Sequence, residues 1–181
     1  MAGYDVCIGK YEEAIKYYQE QRNYFQKSTD GIRDCAFGNG DLATACYYAG
    51  NDQEAKELFA GIVSIDDFSY NAPAIVNGRI LLGRIEAHSG KDEEALKIWH
   101  TLLSTLRGLK HPSPLGHRIE QADVLNEIGR FQIKQNRPGE ARAAYAEALE
   151  LRKATGTATH PNAADAVKGL ADDLCDRPEP T

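Results

Sequence analysis

An all-α fold made of repeated antiparallel helix pairs is what this sequence predicts, on three observations. First, four segments look alike: Gly9 to Tyr18, Gly50 to Phe59, Gly90 to Trp99 and Asn136 to Tyr145. In each, a Gly or Asn stands five residues before an Ala, a Glu directly precedes that Ala, and an aromatic follows four positions later. Second, the four alanines (Ala14, Ala55, Ala95, Ala141) are 41, 40 and 46 residues apart, the scale of helical-hairpin repeats. Third, twelve residues upstream of the last three alanines lie Ala43, Gly83 and Gly129, preceded by Leu42, Leu82 and Ile128. A small residue there lets two helices cross tightly, and the aromatic of the partner helix fills the groove beside it.

The elements follow in order. A first helix is expected over 10–27, after Gly9, with Glu13 in the first turn where the helix dipole favours negative charge. A second, over 31–49, carries Leu42-Ala43 and stops at Gly50, a residue that tolerates the left-handed conformation of a helix end. The third (52–65) and fifth (92–107) have Asp52 and Asp92 as candidate caps. Between them, 72–89 carries Leu82-Gly83. A sixth helix, 114–135, ends at Asn136, and a seventh, 138–153, opens on Pro138, which suits a first helical position. The last, 162–174, interleaves Lys168, Asp172 and Asp173 with Ala and Leu, as a solvent-facing cap does. Breaks are expected at 28–30, 66–71, 108–113 and 156–161. The organisation is one repeat domain, 1–175, followed by a disordered tail, 176–181.

This pattern resembles the tetratricopeptide repeat (TPR) family, with an apolar–small pair on the first helix and an Ala, an aromatic and often another Ala on the second. The last unit is the closest match, with Leu125, Ile128, Gly129, Ala141, Tyr145 and Ala148 in place. The usual proline after the second helix has no counterpart at Lys153, and the units exceed the family's common length of about 34 residues. The stretch from Glu147 to Gly156, then His160-Pro161 and an Ala-rich helix, looks like the longer kinesin-light-chain type. The resemblance covers roughly 9–174. It implies a right-handed α-α solenoid of about eight helices whose work is to bind another protein.

Composition agrees with a folded, soluble chain. Apolar residues make up 42% of the 181 and charged residues 27%, with a formal charge of −6 and a pI near 5.4. An acidic balance offers no basic face to neutralise phosphates, so nucleic acid is not an expected partner. The longest apolar runs, such as Ile80-Leu81-Leu82, fall far short of the ~20 residues a membrane span needs. The first ten residues lack a basic stretch followed by an apolar one, so a cytoplasmic protein is expected. Cys35 and Cys46 are 11 residues apart on one expected helix, roughly 16 Å at ~1.5 Å per residue, too far for a disulfide. Cys7 and Cys175 stand near opposite ends of the chain, and the four are expected as free, mostly buried thiols.

Signs of catalysis are weak. Gly38-Asn-Gly40-Asp-Leu-Ala43 matches a dinucleotide fingerprint on paper, yet Asp30 to Phe37 is no buried strand to precede it. These glycines are read as kinking or starting a helix, with Asp41 as a cap. No two of the five histidines have helical i, i+4 spacing and no Cys-x-x-Cys occurs, so no metal is expected. No Gly-x-Ser-x-Gly elbow exists. Neither enzyme activity nor a cofactor is expected.

In the family that the chain resembles, the concave face is lined by the first helix of each pair, which implies a site by position. One and five places after the small glycine stand Arg84 and His88, and Arg130 and Lys134. Three and six places before it stand Ile80 and Asn77, and Asn126 and Asp123. Thr44, Tyr47 and Tyr48 come from the unit before. The expected partner-binding set is Tyr47, Tyr48, Asn77, Arg84, His88, Asn126, Arg130 and Lys134. Its cationic end suits a protein or peptide of acidic character, since Arg grips carboxylates bidentately. The bland alternative is a solvated helix face with Arg84 paired to Glu86 or another neighbouring acid. The family's carboxylate clamp is matched only in part, by Arg84, Arg130 and Asn126.

Tyr17, Tyr18, Phe59, Trp99 and Tyr145 are read as inter-helix core. Tyr11, Tyr17 and Tyr24 also mark the first helix, where only nine residues precede the helical run, as a face for self-association. The alternative function is therefore a regulatory or toxin-neutralising partner that binds through its convex or N-terminal face.

Overall fold

Gly50, Gly90, Asn136 and Gly156 take φ of 84°, 74°, 57° and 70°, and each ends a helix in the same way. The amide of the left-handed residue donates to the carbonyl three residues back, and the next amide reaches five back. At the first such end these bonds are Gly50 N to Tyr47 O, 3.1 Å, and Asn51 N to Cys46 O, 2.8 Å. The same pair recurs at Gly90, Asn136 and Gly156. This is a Schellman cap, which satisfies carbonyls that the helix leaves open. Gly9, with φ 81°, has the same backbone conformation. The next helix starts at once: Ala55, Ala95 and Ala141 donate their amides to Asn51, Lys91 and Arg137. The recurring Gly/Asn-to-Ala spacing thus encodes one tight reversal.

The computed structural model describes residues 9–25, 32–63, 68–109, 117–159, 163–164 and 166–170. Every described element is helical. They are α1 (Tyr11–Phe25), α2 (Ile32–Tyr48), α3 (Asp52–Val63), α4 (Phe68–His88), α5 (Asp92–Gly108), α6 (Arg118–Lys134) and α7 (Pro138–Ala154). Residues 163–164 and 166–170 are helical as well. The all-α architecture of antiparallel pairs expected from the sequence is the architecture found. The chain divides into two compact units, Met1–Ile98 and Trp99–Thr181, with the division inside α5. The tail 176–181, Cys7 and Cys175 lie outside the described residues.

Four local expectations are corrected. Asp52 and Asp92 are first helical residues, not caps, because α3 and α5 begin on them. Asn51 and Lys91 hold the cap position, and the two acids act through the dipole. Gly38, Gly40 and Asp41 neither start nor cap a helix, since α2 runs through all three. The helix expected from 72 begins at Phe68 and carries Pro73 in its sixth position. Pro73 has no amide to give to the Ser69 carbonyl four residues back, so the helix runs through it one backbone bond short. Tyr17 is not core: it is 42% exposed, whereas Tyr18 beside it is buried.

In the first unit, α2 packs against α1, α3 and α4, and α3 packs against α4. The buried residues there include Ala14, Ile15, Tyr18, Leu42, Ala43, Ala45, Cys46, Ala55, Phe59 and, from α4, Ile75, Leu81 and Ile85. The second unit is built on the pairing of α6 with α7. Trp99 is buried and meets Phe131 edge-on, with ring centroids 5.4 Å apart at 67°, an arrangement aromatic quadrupoles favour. Tyr145 shows why glycine recurs on the first helix of a pair. A Cβ on Gly129 would lie 2.6 Å from Tyr145 Cε1, and one on Gly169 would meet the other edge of the same ring. The phenol ring is clasped between two bare backbones.

Candidate partner-binding site

Four of the eight expected residues come together in the first unit. Tyr47 and Tyr48 end α2, and Arg84 and His88 end α4. These two helices pack side by side. The Tyr47 ring lies nearly parallel to His88, with centroids 6.3 Å apart at 11°. Tyr48 stands edge-on to Tyr47 at 5.2 Å and 70°. The Arg84 guanidinium donates to the Tyr47 hydroxyl. Burial raises the Tyr47 hydroxyl above its ordinary pKa, and the charge and hydrogen bond of Arg84 pull the other way. Tyr47 and Arg84 are half-buried, Tyr48 is 46% exposed, and His88 is exposed. Asn77, also exposed, lies eleven residues before His88 on α4, three turns at ~3.6 residues each and hence on the same side of the helix.

The cluster has a fifth member, Tyr11, which the sequence suggested only as part of an N-terminal face. Its ring stacks on Tyr48 at 5.9 Å and 18°. An antiparallel pair brings the first residue of α1 to the last of α2. That end-to-end rule was the available signal.

Glu86, one of the acids that the bland alternative offers to Arg84, is engaged by lysines. Its buried carboxylate bonds Lys56 of α3 at 2.5 Å and Lys91 at 3.7 Å. The carboxylate therefore ties α4 to α3 and to the turn after it.

The remaining three residues belong to α6 in the second unit, where the surroundings differ. Asn126 is only 1% exposed, so it is no open contact, against the expectation of a residue lining a free face. The reason is packing: residues 124–129 of α6 are all buried. Arg130 is half-buried and bonds the buried carboxylate of Glu127 one turn back. Lys134 is exposed in the last turn. Asp123, on the same helix, holds the Arg152 guanidinium, itself 2% exposed. The cationic character expected of Arg130 is thus offset within its own helix.

Sequence reasoning gave no hint of the buried Arg152, whereas Cys46 fits the expectation of a free, buried thiol. That thiol is free and buried, and its pKa is pushed up to about 12, first by burial and then by the charge and hydrogen bond of Glu54. It is a poor nucleophile in this state. Among the described residues no group of three His, Cys, Asp or Glu is placed to hold a metal ion. No described helix is long and apolar enough to cross a membrane.

Comparison with known proteins supports the same architecture. A family model of the tetratricopeptide repeat matches residues 121–162, the pair α6–α7 with the turn that follows. No curated protein matches the chain. Among solved structures, a candidate kinesin light chain from Podosopora anserina with nearly identical TPR-like repeats superimposes with a TM-score of 0.66 at 18% identity, over 96% of this chain and 82% of that one. A single-substitution variant of it gives the same values. BtubC (BKLC) from P. vanneervenii gives a TM-score of 0.63 at 16% identity, over 99% and 81%. At such identities the likeness is one of fold, and the fold is TPR-like.

Proposed function

We propose that this protein is a protein-interaction module that takes a peptide or protein segment on the face presented by the first helices of its pairs, centred in the first unit on α2 and α4. A TPR-like fold is a scaffold for partners, so the site and not the fold must carry the reading. The observation that carries it is the ring cluster of Tyr48, Tyr47 and His88 with Arg84. Exposed aromatic side chains held in fixed mutual geometry are what binding hot spots are made of, because little entropy remains to lose on contact. Asn77 extends the same face with hydrogen-bonding capacity.

A second reading has its own observation. Tyr17 is 42% and Tyr24 75% exposed, seven residues apart on α1 and so on one stripe. Association through that stripe would serve a regulatory or self-associating protein.

Capture from the source lysate separates the two. Tyr48→Ala/His88→Ala and Tyr17→Ala/Tyr24→Ala are compared with the unaltered chain after circular dichroism confirms that each is folded. A protein lost only by the first pair supports the α2–α4 face. One lost only by the second moves the function to α1, and equal capture by all three removes the proposal.

A further inference from the structure

We draw no further inference here: the strongest candidate, the surface patch that Tyr17 and Tyr24 form along α1, is exposed, and nothing in the structure shows what covers it.

Discussion

Single residues hold the sharpest constraints in this chain. Gly129 is required by the Tyr145 ring, which a methyl group would meet at 2.6 Å. Gly129→Ala should cost ~1–3 kcal/mol by overpacking, read from urea unfolding. Gly61→Ala, on a helix with nothing within 4 Å of the new methyl, should instead stabilise by ~0.5–1 kcal/mol. Equal effects at both sites would mean that the clasp around Tyr145 is absent in solution. Cys46 makes a pH-dependent prediction. Its folded pKa, near 12, exceeds that of an unfolded thiol, so above about pH 8.5 the folded state binds more protons than the unfolded one. Stability from this group is complete below that pH and declines as pH rises towards 12, by at most ~1.4 kcal/mol per pH unit. The destabilisation caused by Cys46→Ala should therefore be smaller at pH 10 than at pH 7. A constant difference would show that the thiol titrates normally in the folded protein.

At the level of the element, the Schellman caps decide where one helix stops and the next can turn back. Gly90→Ala forces a side chain into φ 74° and should destabilise by about 1 kcal/mol. Asn136 is the non-glycine member of the set, at φ 57°, so Asn136→Gly should stabilise by a few tenths to about 1 kcal/mol. Opposite signs from neighbouring copies of one motif, measured by thermal or urea unfolding, would verify that backbone strain and not lost contacts governs both. Helix-to-helix ties add to the caps. Arg152, buried on α7, is held by Asp123 of α6. Asp123→Ala leaves a buried guanidinium without that carboxylate and should cost ~3 kcal/mol, more than Lys153→Ala, which loses only an exposed pair with Glu150.

Across the whole molecule, repeat architecture means that each pair is stabilised by its sequence neighbours, and the effect of a lesion stays near its site. Hydrogen exchange should then map Gly129→Ala to a loss of protection within 99–181, with residues 32–63 little changed. A uniform loss over both compact units would indicate a single cooperative block. The same locality bears on function. The aromatic face of the first unit and the ion-paired α6 of the second differ in chemistry, so variants in one should alter partner capture without unfolding the other.

The sequence by itself determined the periodic part of the protein. The Gly/Asn-to-Ala spacing, the small residue twelve positions upstream and the four-after-Ala aromatic are local or nearest-neighbour requirements. They marked the helix ends at Gly50, Gly90 and Asn136, the clasp of Gly129 on Tyr145, and the buried places of Phe59 and Trp99. Counting along first helices also singled out Tyr47, Tyr48, Arg84 and His88 before their proximity was visible. Only the tertiary structure decided what such counting cannot reach. It buried Asn126, engaged Arg130 with Glu127, turned Glu86 to Lys56, left Tyr17 outside and brought Tyr11 onto Tyr48. Each of these depends on which side chain a residue meets across a helix interface or along its own turn. Helical period assigns a residue to a face, but burial and charge pairing are set by what packs against that face.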